Sequence, residues 1–117
     1  MAAVDEAWLF ERGGLHDAYA DCGCVHGADI VIRLDDEWAN ERGLTKPEGV
    51  SEPLALRFVF AVLVEGVLEE IAGGKISEAR MTPDGQFSLV FQDRGALQIR
   101  AVQILTAPAQ CLRESSR

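Results

Sequence analysis

The chain has 117 residues, 48% of them apolar and 26% charged, with a net charge of −8. That length and balance fit one globular domain over residues 1–117 with a single core, and they exclude a disordered chain. An acid surplus of this size repels phosphate, which argues against direct binding to nucleic acid or to an anionic membrane surface.

The opening Met1-Ala2-Ala3-Val4-Asp5-Glu6 is acidic where a secretion signal is basic. The longest apolar run, Phe58 to Val64, is well short of the roughly 20 residues that a membrane helix needs. A cytoplasmic location is the expectation. Val4, Trp8 and Glu11 fall at helical spacing before Gly13-Gly14, so residues 1–14 are expected to hold a short helical segment. Trp8, Leu9 and Phe10 should dock it onto the body.

From Ala18 the period changes. Ala18, Ala20, Cys22 and Cys24 alternate with Tyr19, Asp21 and Gly23, which predicts a strand carrying both cysteines on the alanine face. His26-Gly27-Ala28-Asp29 suits a hairpin connection, because glycine accepts positive φ. Ile30, Ile32 and Leu34 then mark a clearer strand, ended by the mutual repulsion of Asp35, Asp36 and Glu37. Residues 38–53 contain Gly43, Pro47, Gly49 and Pro53 and read as a long loop. Leu54, Leu56, Phe58 and Phe60 again alternate. Residues 54–72 also fit helical spacing through Leu56, Val59, Phe60, Leu63, Val67 and Ile71. The β-branched and aromatic run at Phe58-Val59-Phe60 favours a strand, with a short helical turn over Gly66–Ala72.

Residues 76–105 predict a meander. Phe87, Leu89 and Phe91 share one face, as do Leu97 and Ile99, and Pro83-Asp84-Gly85 and Asp93-Arg94-Gly95 supply the turns. Val102 and Ile104 fall on the opposite parity from Leu97 and Ile99. That phase change requires a bulge near Ala101, or two ends buried against different neighbours. Residues 108–117 are expected to form a flexible tail. The fold expected is α+β, a predominantly antiparallel sheet of about six strands with one or two short helices.

Motifs for chemistry are sparse. Three cysteines make a poor disulfide framework, and Cys22 and Cys24 read as small apolar side chains. Cys22, Cys24 and His26 could face a zinc ion with His16 or Cys111, but alternate strand residues lie about 6.6 Å apart and do not converge as structural zinc ligands do. His16 and Asp17, adjacent on an extended chain, point to opposite faces, which suits a structural hydrogen bond better than a catalytic pair. No phosphate-binding glycine loop or nucleophile elbow is present. No catalytic residue, cofactor or metal is expected.

Charge is unevenly placed. Residues 1–53 hold twelve Asp or Glu against four Lys or Arg, whereas residues 54–117 hold seven of each. Asp29, Asp35, Asp36, Glu37 and Glu41 are therefore the candidate contacts for a basic protein partner, which such a field would attract. The alternatives are a metal-binding or small-ligand-binding protein. A homodimer is also expected, since a small sheet has two edges to cover.

Leu15-His16-Asp17-Ala18, the strand pair that follows, the Leu54–Phe60 strand and Leu97-Gln98-Ile99-Arg100-Ala101 together resemble small bacterial proteins that open with an aromatic-His-Asp-Ala motif. Many of these are immunity proteins of polymorphic toxin systems. The resemblance spans residues 15–105, with His16-Asp17-Ala18 as its literal motif. Gly13-Gly14-Leu15 stands where Trp-Pro and an aromatic occur in that family. It implies a small α+β domain and a non-enzymatic protein that blocks a cognate toxin by binding it.

Overall fold

The computed structural model describes residues 3–11, 13–16, 18–35 and 54–108. They form one short helix, α1 (Glu6–Glu11), and eight strands: β1 (Tyr19–His26), β2 (Asp29–Asp35), β3 (Leu54–Val59), β4 (Val62–Glu65), β5 (Gly74–Met81), β6 (Phe87–Phe91), β7 (Ala96–Arg100) and β8 (Gln103–Pro108). Single 3-10 turns lie at Gly13–Leu15 and Leu68–Glu70. Every pairing is antiparallel, in the order β4-β7-β6-β5-β1-β2-β3-β8.

Eight strands replace the six expected, and the reason is a corner. Val59↔Gln103 and Val62↔Arg100 belong to one uninterrupted register, so β3–β4 and β8–β7 are two long ribbons that bend together. The bend lies at Phe60–Ala61 on one ribbon and Ala101–Val102 on the other. This is the phase change legible in the sequence: Leu97 and Ile99 bury in one sheet, Ile104 in the other. Corners of this kind let strands pass between packed sheets.

The result is a flattened barrel. β3 and β6 stand four strands apart in the sheet order, about 19 Å if the sheet were flat. Phe58 of β3 and Phe87 of β6 instead meet edge to face, with ring centroids 5.0 Å apart. Both rings are fully buried, among Ile32, Leu56, Leu89 and Ile99. The barrel is narrowest in its pairing between β1 and β5, which share only Tyr19↔Lys75 and Ala20↔Gly74. Leu68 and Ile71 plug one end of that seam over Gly23, where an added Cβ would lie 3.0 Å from Ile71 Cδ1. The carbonyls of Glu70 and Ala72 accept from the Arg94 guanidinium at 3.0 and 2.9 Å. At the other end Gly13–Leu15 and α1 lie beside β5.

Several local expectations change in detail. The register shift between Ala20 and Cys22 inserts one residue into β1. Ala18 and Ala20 therefore point inward and are buried, while Cys22 and Cys24 turn to the outer face and pack half-buried against Val31 and Ala55. The helix is shorter than expected, begins after Asp5 and buries Trp8 and Leu9, but Phe10 stays 85% exposed. Strand wins over helix across Leu54–Val59, and the turn after it is the 3-10 segment Leu68–Glu70. The 38–53 loop and all but the first residue of the 108–117 tail lie outside the described residues. No described helix is long and apolar enough to cross a membrane.

Two glycines separate steric from conformational demand. Gly66 ends β4 at φ 99°, and an added Cβ would sit 2.4 Å from the Ala96 carbonyl oxygen. Gly27, in the β1–β2 turn at φ 60°, has open space around it. Gly66→Ala is expected to lower unfolding free energy by roughly 2 kcal/mol or more. Gly27→Ala should cost only about 1 kcal/mol, the backbone penalty alone. Urea denaturation of both variants checks the contrast, and equal losses would refute it.

Candidate functional site

The concave surface follows from the short β1–β5 seam. β5 runs on past Lys75 while β1 does not, so the flank of β5 from Ser77 to Met81 is left to the preceding segment of chain. Asp5 starts α1 by accepting the Trp8 N–H at 2.9 Å, an N-cap contact. Gly14 and Leu15 then adopt positive φ, 66° and 57°, which folds residues 13–16 back onto β5. Gly14 passes so close to Ala79 that its missing Cβ would lie 3.4 Å from the Ala79 carbonyl oxygen.

Between α1 and β5 opens a groove of about 970 Å³. Glu6, Ala7, Leu9 and Phe10 form one wall, Ser77 to Met81 the other, and Gly14 and His16 also line it. Glu6 and Glu78 contribute acid, Arg80 the one described base besides His16. Arg80 and Glu78 stand 3.9 Å apart and are both well exposed, so their attraction is small. The groove thus offers an apolar strip, an exposed aromatic ring and acidic side chains beside a strand edge.

His16 sits within this groove, and its Nδ1 lies 2.7 Å from the Ser77 carbonyl oxygen. A carbonyl only accepts, so Nδ1 is the donor of this hydrogen bond. The carbonyl orients the ring but cannot relay a proton. Two residues on, the Ala18 carbonyl accepts the Ile76 N–H at 2.7 Å. His16 and Ala18 of the His-Asp-Ala run thereby stitch the entry segment to β5. Asp17 lies outside the described residues.

The candidate acids separate. Asp29 stands at the β1–β2 turn, where one carboxylate oxygen accepts the Phe60 N–H at 3.0 Å and the other accepts Arg57 Nε at 2.8 Å. Its charge is met by Arg57, a cation from the C-terminal half, which makes it a clamp at the corner where β3 ends. Asp35 closes β2 opposite Tyr19. Asp36, Glu37 and Glu41 lie outside the described residues, as does Cys111. Cys22, Cys24 and His26 all reach the outer face of β1, yet no group of three or more His, Cys, Asp or Glu among the described residues is placed to hold a metal ion.

Sequence reasoning missed Phe10, Glu6, Glu78 and Arg80. A signal for Phe10 existed: Val4 and Trp8 define the buried helix stripe, and position 10 lies about 200° from position 8. Nothing in the sequence brings α1 beside β5. Comparison with family models, curated proteins and solved structures found no match.

The Phe60 N–H and then Arg57 hold the Asp29 carboxyl below its ordinary value of 3.8. A lowered folded value means that Asp29 stabilises the fold above the unfolded value and that this contribution fades as pH falls through 3.8 toward the folded value. Asp29→Asn should therefore be about 1–2 kcal/mol less stable than the native chain at neutral pH. The difference should shrink on acidification. Chemical denaturation at a series of pH values measures it, and a pH-independent gap would contradict the assignment.

Proposed function

We propose that this is a non-enzymatic binding protein of the cytoplasm, immunity-like in action, that neutralises a basic protein partner by holding one of its extended segments in the α1–β5 groove. The observation that carries the reading is Phe10, left 85% exposed on the wall of a groove whose other wall is the flank of β5. An aromatic ring in that position can anchor a side chain of a partner, and aromatics dominate the energetics of binding surfaces. The Ser77–Met81 flank gives an extended segment a strand to lie along. Glu6 and Glu78 add negative charge at the groove, and the −8 of the whole chain supplies a longer-range attraction for a cationic surface.

The resemblance to immunity proteins of toxin systems points the same way, since blocking a toxin requires only a tight surface. The scarcity of nucleophile-and-base constellations in the sequence agrees with it. Binding of a small ligand in the same groove is the competing reading.

The test is titration of isotope-labelled protein with a short peptide alternating Lys and Val, followed by amide NMR. Shifts should concentrate in Glu6–Phe10 and Ser77–Met81, weaken with added salt, and fall at least about tenfold in apparent affinity in Phe10→Ala/Glu78→Lys. Shifts spread over the whole molecule, or none, would refute the groove. Shifts unchanged by salt and by Glu78→Lys would favour an uncharged small ligand.

A further inference from the structure

Helix α1 turns one stripe of side chains to the barrel and another to water. Trp8 and Leu9 are buried, whereas Glu6, Ala7, Phe10 and Glu11 are exposed. Glu6 and Phe10 stand four positions apart, which sets their side chains next to each other on one helix face. Glu11 follows Phe10 directly. The helix carries no basic residue, and among the described residues neither Glu6 nor Glu11 has an ion pair. The other acid of this segment, Asp5, already accepts the Trp8 N–H. Arg80, on the opposite wall of the groove, faces Glu78 at 3.9 Å and offsets that carboxylate. The uncompensated charge of the groove therefore lies at Glu6, beside a phenyl ring that is 85% exposed.

We propose that Phe10 and Glu6 form a seat for a guanidinium group, so that the basic partner is held by an arginine side chain laid on the Phe10 ring. This rests on the groove function proposed above and specifies the chemical group that the groove takes. An apolar side chain would cover the ring, but it would also strip water from Glu6 and leave the carboxylate unpaired, a cost that opposes the contact. An ammonium meets the carboxylate, yet it is compact, strongly hydrated and spreads little over a ring. A guanidinium is planar, delocalised and weakly hydrated. Its face lies on the ring, where the π quadrupole attracts it, while its N–H edge reaches a carboxylate. A ring and an acid at positions i and i+4 of a helix present those two demands side by side. Among the described residues no cation lies over the Phe10 ring and no other ring stacks on it, so its face is open to such a group.

The test compares three peptides of one length, in which valine alternates with arginine, lysine or citrulline, by NMR of the full isotope-labelled chain. Citrulline keeps the shape of arginine without its charge. The arginine peptide should bind at least about threefold more tightly than the lysine peptide, with the largest shifts at Glu6–Phe10 and in the Phe10 ring. The citrulline peptide should give no saturable shift. Phe10→Leu keeps the apolar bulk and should bring arginine binding down to the lysine level. Glu6→Gln should weaken the arginine peptide at least about threefold. Both positions are exposed, so the circular dichroism spectrum and melting transition should stay in place. Equal affinity for arginine and lysine at the groove overturns the guanidinium seat and leaves the proposed groove function standing. So does a preference for arginine that survives Phe10→Leu, or saturable binding of the citrulline peptide. No shift with any of the three overturns both.

Discussion

The architecture depends on one carboxylate. Asp29 receives the Phe60 N–H on one oxygen and Arg57 on the other, and the adjacent Ala28 carbonyl accepts the Ala61 N–H at 2.8 Å. Together these contacts fix the point at which β3 stops being part of one sheet and becomes β4 of the other. The companion ribbon follows, because the Val102 N–H donates to the Val59 carbonyl at 2.9 Å and keeps the two ribbons in register through the bend. Without that bend Phe58 could not reach Phe87, and the two sheets would have no common interior. A charged hydrogen bond at a half-buried turn thus governs a core made wholly of hydrocarbon.

The opposite side of the barrel is governed by scarcity. β1 and β5 share two residue pairs, too few to seal the interior, and the chain fills the gap from both ends with local devices. On one end Leu68 and Ile71 need the absent side chain of Gly23 to fit. On the other, Gly14 and Leu15 wind backward so that His16 and Ala18 can bond to β5. The groove is the residue of this repair.

Period-2 patterning was informative wherever a single face is buried. Ile30, Ile32 and Leu34 on β2, Leu56 and Phe58 on β3, and Phe87, Leu89 and Phe91 on β6 all point inward as their alternation requires. The parity break between Ile99 and Val102 even located the corner, though not what it joined. Alternation misled in β1, where one inserted residue between Ala20 and Cys22 inverts the face of everything after it. A run of alanine, glycine and cysteine lacks the bulky contrast that would have exposed the slip. The expected contact acids were legible only as charge. The clamp that Asp29 forms is not legible in sequence, because its partners, Arg57 and the Phe60 N–H, lie about thirty residues away and approach only through the β2–β3 pairing. The groove was invisible for the same reason: its two walls come from residues 6–16 and 77–81.

The pairing of Ala3 with Leu105, and the Val4 N–H donated to the Ile104 carbonyl at 2.8 Å, tie together segments about a hundred positions apart. A growing polypeptide emerging from the ribosome can form the β1–β2 hairpin early, because its partners are neighbours. It cannot complete the cylinder until β8 is released, and Leu34, Phe58 and Leu56 remain wetted throughout that interval. Topologies so rich in distant contacts acquire their native shape slowly, and their unpaired strand edges are open to aggregation until the sheet closes. The ring of strands that leaves the finished molecule so few open margins also makes its birth an all-at-the-end event.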